Sequence, residues 1–564
     1  VCLAAEKPTA SHEEFLVSGT ATGRFGGRLV ASQRAEAKTL NPVTAVDRPS
    51  RELLGRLHAD LVHINRVTQK TEPALAKSWT VSKDGRVYTL QLRRGLKFSD
   101  GHPFDADDVV FSFQVYLDEK LHSSYRDLLI VGGQPIKVEK AGPYTVRFRL
   151  AEPYAPAERL FDGFAILPRH LLEKPYREGK LADMWSLSTP PAQMAGLGPF
   201  RVKSYVPGQR ITLEKNPHYW KVDARGNRLP YLEELTYLFV PSEDAEALRF
   251  QSGETDVVNR LSAENYEQLS KDQHNRGYEL RDAGPSLEFN FLLFNLNDDT
   301  AGRLPQVERK QRWFRDVRFR RAVSLAVDRA GLVRLVYRGH GVPLWAQVTP
   351  GNKLWLNERI PRPAQSIENA KGLLRAAGYS WKADGSLADA GGQPVEFTII
   401  ASSGNSQRMQ IANLIQQDLK RLGMAVSVVP LEFRAFVQRV TQTHDYDAAV
   451  MGIQSGDVDP NSDVNVWLSS GTTHLWNMGQ KQPATPWEAE IDRLTREQQT
   501  TMRYAARKKL YDRVQEIVAS ELPIICVSSP NILVGSRKGL GNFQPAVLEN
   551  YTLHNVEELY WIPK

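Results

Sequence analysis

The chain has 564 residues, more than one hydrophobic core ordinarily serves, so two or three compact lobes are expected. Its 41% hydrophobic and 24% charged residues fit a globular protein, and no apolar run approaches the roughly 18 residues of a membrane span. The 72 basic residues are interspersed with 65 acidic ones, for a net charge of +7, without the dense basic tract that would favour nucleic acid.

The opening Val1-Cys2-Leu3-Ala4-Ala5 reads as the end of an export signal, Leu3 to Ala5 resembling a small-residue cleavage site. Cys2 as a lipid-bearing residue is the alternative, and residues 1–26 are expected to be a leader. Cys2 and Cys526 are the only cysteines and show no zinc-ligand spacing, so no metal and no cofactor are expected. A first strand begins at Gly27, and Glu52 to Ile64 reads as a helix with Leu53, Leu57 and Leu61 on one face. Tyr88, Leu90 and Leu92 alternate with Thr89, Gln91 and Arg93, the period of a half-buried strand. Asp84-Gly85 and Asp100-Gly101 are turn dipeptides, and Asp105 is placed to cap a helix whose apolar face carries Val109, Phe113 and Tyr116.

Further on, residues 223–235 are rich in turn formers and read as a surface excursion. Residues 287–295 alternate as a strand, and Asp316 and Asp328 each begin a helix. Arg315, Arg318, Arg320 and Arg321 are read as a solvated basic face. Residues 395–453 alternate strand and helix, which predicts βαβ crossovers and a largely parallel sheet. Ser403 and Asn405 lie between a strand and a helix N-terminus, where backbone N–H groups can receive a carboxylate. Trp476 and Asn477 sit in a Gly/Ser/Thr-rich segment, where an exposed tryptophan suits stacking on a ligand and an ordinary core tryptophan is the alternative.

The run from Ala76 to Val109, A-K-S-W…D-G-R-V-Y-T-L-Q-L-R-R-G-L-K-F-S-D-G-H-P-F-D-A-D-D-V, resembles the signature of the family 5 extracellular solute-binding proteins. These are oligopeptide-, dipeptide- and nickel-binding receptors of ATP-driven importers. Pro168-Arg169-His170, Gly196-Leu197-Gly198-Pro199-Phe200, Asn216-Pro217-His218-Tyr219-Trp220 and Phe314-Arg315-Asp316 are similar to further motifs of that family. The resemblance implies an α/β, periplasmic-binding-protein-like fold of type II, with two lobes and an inserted subdomain. The expected boundaries are 27–65, 196–295 and 523–564 for the first lobe, 66–195 for the subdomain and 296–522 for the second lobe.

The resemblance also implies a ligand site. The loop matching Val46 to Ser50 lines the cleft in relatives and here carries Asp47 and Arg48. Peptide-binding relatives place an aspartate near residue 457 against the peptide α-ammonium; Asp457 or Asp459 takes that place, with Gln454 nearby. The chain departs from the family here, since Asp457-Val458-Asp459-Pro460 is one residue shorter and lacks the preceding aromatic. The implied function is a periplasmic or extracytoplasmic receptor, monomeric and not an enzyme. It captures peptides between two lobes and delivers them to the permease subunits of an ABC importer. An oligosaccharide or other polar metabolite is the alternative ligand, and an exported hydrolase the alternative class.

Overall fold

The computed structural model describes residues 14–563; Cys2 and the leader's first residues lie outside them. The described chain forms two compact units, residues 14–281 with 533–563, and residues 282–532. The two crossings fall inside strands, Tyr278–Pro285 and Ile524–Arg537.

The first unit contains two four-stranded sheets. One runs Phe200–Val206, Arg210–Lys215, Glu234–Phe239, Arg28–Gln33, its last pair parallel. The other is antiparallel and runs Ala76–Val81, Val87–Leu92, Thr145–Arg149, Lys137–Gly142. Within it Tyr88, Leu90 and Leu92 are buried while Gln91 is exposed, as the alternation predicts. Asp105 caps the helix Ala106–Leu117 in a capping box with Asp108, two orphan end groups being satisfied reciprocally. That helix lays Phe113 against Phe148 edge to face, with ring centroids 4.9 Å apart.

Expectations for two segments and one side chain need correction here. The helix expected at 52–64 is Arg48–Leu57: Asp47 caps it, Pro49 sits in its first turn, and residues 62–64 are already a strand. Residues 223–235 are a surface excursion only in part: 224–227 are exposed, but the flanking residues turn inward. Asp223 there is buried and accepts from the backbone of Arg225 and Asn227, while Leu229, Tyr231 and Leu232 join the core. Arg320 is buried, not solvated, and donates to the carbonyls of Phe314 and Glu521, ending two helices.

In the second unit the sheet runs Ile524–Arg537, Glu288–Phe294, Ala448–Gln454, Glu396–Ser402, Ala425–Leu431. Only the last three strands are mutually parallel; Glu288–Phe294 runs antiparallel to both of its neighbours, so the sheet is mixed. The helix Ser406–Lys420 makes the crossover and buries Ile411, Ile415 and Leu419. Asp316 and Asp328 cap the helices Val317–Ala326 and Arg329–Val336 as expected.

Candidate functional site

In open α/β sheets, ligands bind beyond the carboxyl ends of parallel strands, where loops diverge and helix N-termini begin. The second unit has such an edge. Strand Glu396–Ser402 ends beside the start of helix Ser406–Lys420, and strand Ala448–Gln454 ends at Gln454, opposite Glu288 in register. Asn405 caps the helix by accepting from the backbone of Arg408, and Ser403 is exposed, its N–H bound to the carbonyl of Leu431.

Arg408 then reaches back across the strand ends. Its Nε donates to Asn290 Oδ1 at 3.0 Å, and its Nη2 to Glu288 Oε1 at 3.2 Å. Asn290 is buried, and its amide donates to the Tyr337 hydroxyl at 3.2 Å. Gly452 makes this contact possible: a Cβ there would lie 2.4 Å from Asn290 Oδ1 and 2.5 Å from Arg408 Nη2. Arg408 and Glu288 both retain exposed side-chain surface, 24% and 14%. Beside them the amide oxygen of Gln454 is buried with no hydrogen-bond partner among the described residues. A buried acceptor left open in this way is costly unless a donor meets it.

The loop that follows sorts the two candidate aspartates. Asp457 is half-buried and accepts from the backbone of Val458 at 2.7 Å. Asp459 is buried, and both its oxygens are taken by Arg507 in a bidentate pair at 2.6 and 2.7 Å, with Asn461 N–H donating as well. Asp459 is therefore a structural anchor, and of the two only Asp457 is carried into the proposed site. Ser455 donates to Asp463, whose carboxyl burial pushes up to about 6.

Trp476 and Asn477 correct the exposed reading in favour of the core one. Trp476 is 1% exposed, packs against Trp467, His474 and Trp487, and donates its indole N–H to Glu488 at 3.0 Å. Asn477 is buried and exchanges hydrogen bonds with Asp298. The backbone of Trp476 pairs with Leu296, beyond the far end of strand Glu288–Phe294. At about 3.3 Å per residue that is roughly 25 Å from Glu288. The polar flanks that suggested exposure instead satisfy one another around Glu488.

Burial opposes the charge on Glu488, but hydrogen bonds from His474, Trp476, Thr485 and Gln480 outweigh it and hold the carboxyl at about 2. Because that value lies below the ordinary 4.5, the stabilisation is complete above pH 4.5 and is lost as pH falls from there toward 2. Urea midpoints measured across that window should fall more steeply for the wild-type protein than for Glu488→Gln. Equal slopes would remove this network from the acid response.

Asp47 and Arg48 belong to the first unit. Asp47 accepts from the backbone and hydroxyl of Ser50, at 2.9 and 2.8 Å, while Arg48 is exposed. Sequence reasoning missed Arg408, Glu288 and Asn290. The one local signal was Gly452, a glycine inside a strand, which marks close approach of another group.

Residues 70–474 match the bacterial extracellular solute-binding proteins, family 5, in that family's middle region. The chain belongs to this family. This family 5 protein is 27% identical over 530 residues to a probable ABC transporter-binding protein of Deinococcus radiodurans, covering 90% of this chain and 87% of the relative. It is 30% identical over 403 residues to the periplasmic alpha-galactoside-binding protein of Rhizobium meliloti, covering 66% of this chain and 56% of the relative. In three dimensions it resembles the oligopeptide-binding protein AppA of Bacillus subtilis, solved with a nonapeptide. The TM-score is 0.69 at 25% identity, over 96% of this chain and all of AppA. Among the described residues, no helix of the family 5 protein is long and apolar enough to cross a membrane.

Proposed function

We propose that this protein is the extracytoplasmic receptor of an ATP-driven importer and that its ligand is a peptide. The observation that carries the reading is the open acceptor of Gln454 opposite Glu288, which Arg408 holds, three residues before Asp457 and at the carboxyl ends of the second unit's parallel strands. A peptide offers the complementary groups: backbone N–H donors for Gln454, an ammonium for a carboxylate, and carbonyl or carboxylate oxygens for Arg408. The AppA likeness supports peptide as the solute, and the family supports delivery to membrane permease subunits. Family membership also supports a binding role rather than turnover.

The test is a thermal shift of the purified chain against peptide and oligosaccharide libraries. A ligand at 100 times its Kd adds about 2.7 kcal/mol. Peptides should raise the melting temperature and be recovered unchanged. Asp457→Ala and Arg408→Ala should each weaken peptide binding about tenfold or more, since charge-assisted hydrogen bonds contribute about 1.5–3 kcal/mol. Unchanged affinity in both variants would remove the strand-end site. The alpha-galactoside-binding relative favours a second reading, an oligosaccharide ligand. Shifts produced by oligosaccharides alone would replace the peptide reading, and turnover of any hit would replace both.

A further inference from the structure

The first unit has a cavity of about 720 Å³ whose wall includes Asp60, His63 and Arg66. The local fold brings a second acidic group to the same place. His63 lies in the strand Val62–Ile64, Asp60 precedes it by three residues, and Asp162 follows the short helix Ala157–Leu160. His63 Nδ1 is 3.7 Å from Asp60 Oδ2 and 3.5 Å from Asp162 Oδ1. One donor atom from each of Asp60, His63 and Asp162 lies within 4.8 Å of the other two. Two donors held about 2.1 Å from a tetrahedral zinc ion stand about 3.4 Å apart, so this spacing is that of a coordination edge.

The hydrogen bonds around the trio orient it. Asp60 Oδ1 is held by the backbone N–H of Gly163 at 3.0 Å, which leaves Oδ2 toward the histidine. Asp162 Oδ2 is held by Arg66 through Nη1 and Nη2, at 3.4 and 3.3 Å. Its Oδ1 faces the histidine and also accepts the backbone N–H of Ile64 at 2.9 Å. Partners on the far oxygens of ligating carboxylates fix them in this way at metal sites. The cavity itself is polar and incompletely satisfied. Arg56 is 4% exposed, yet its Nη2 has no partner among the described residues, and the same holds for Asn555 Oδ1; both residues line the wall. Buried polar atoms in a space of this size call for water or a polar occupant.

We propose that Asp60 Oδ2, His63 Nδ1 and Asp162 Oδ1 form a site for a divalent transition-metal ion, with cavity water completing its coordination. One imidazole and two carboxylates suit zinc better than magnesium or calcium, which favour all-oxygen shells. The site lies wholly within the first unit, apart from the strand-end residues of the proposed peptide site. Bound metal would tie the Val62–Ile64 hairpin to the segment at Asp162, a structural role separate from the solute.

The full chain, stripped with a chelator, is titrated with zinc chloride by calorimetry and with cobalt(II) as a visible-absorbing probe. One ion per chain is expected, with a raised melting temperature. Asp60→Asn and His63→Gln should each weaken binding more than tenfold, with peptide affinity unchanged. No binding by the wild-type chain overturns the proposal. So does binding that survives both substitutions, or that is lost instead in His170→Gln, whose ring stacks on His102 elsewhere in the unit. Should the variants misfold, X-ray absorption on the cobalt-loaded wild type decides. A shell of one imidazole with oxygen donors supports the site, and any other shell overturns it.

Discussion

Asp459→Ala should cost about 3–5 kcal/mol of stability, the penalty for leaving a buried charge without its partner. Arg507 and Asp459 have side chains only 6% and 5% exposed, and their bidentate pair is extended by Arg507 donating to Gln498 and lying 4.9 Å from the Trp355 ring. Removing the carboxylate strands the guanidinium among these groups with no route to water. The measurement is urea unfolding of the variant beside wild type, with peptide affinity read on the folded fraction. Lost stability at unchanged affinity is the expected pair of results. Lost affinity at unchanged stability would return Asp459 to the ligand site and displace Asp457.

The second large effect concerns Gly196 and Gly198. A Cβ at Gly196 would lie 1.9 Å from the Leu57 carbonyl oxygen, and one at Gly198 would lie 2.4 Å from the Arg56 carbonyl oxygen. The obstacles are backbone, at the end of the helix Arg48–Leu57, and no side-chain rotation relieves them. Gly198 also donates its N–H to Leu57 O and its carbonyl accepts from Asn216, so the approach is fixed from both sides. Either alanine should destabilise the first unit by about 3 kcal/mol or more, in the range reserved for backbone clashes and overpacking. Gly55→Ala is the matched control. That glycine is exposed within the same helix and its Cβ meets nothing within 4 Å, so alanine there should stabilise by up to about 1 kcal/mol. Melting curves of the three variants should therefore move in opposite directions. A tolerated Gly198→Ala would mean that the crossing is looser than its contacts imply.

Local chemistry was readable wherever its consequences stay local. Asp105, Asp316 and Asp328 announce helix starts because a cap bonds two or three residues ahead, and the period-two run at Tyr88 fixes which face is buried. Long-range satisfaction was not readable. The segment around Trp476 looks exposed because its neighbours are small and polar, yet Glu488, 12 residues later, collects their donors and draws the indole inside. Asp47 and Arg48 read as charges on a loop, whereas the aspartate spends its carboxylate on capping. Arg408 carries no signal of its own. Its partner Asn290 lies 118 residues away, and only the folded sheet brings them together.

The split of the first unit around the second sets an order of events. Leu533 packs into a cluster with Phe250, Val258 and Tyr278, and Gly535 and Ser536 pair with Val258 and Val257. Trp561, near the other end of the chain, donates to the carbonyl of Arg28. Synthesis from the N-terminus makes residues 14–281 early but withholds these closing pieces until the whole second unit has followed. The part of the molecule that is translated first is thus completed last, and until then its apolar edge at Val257 and Val258 stands open.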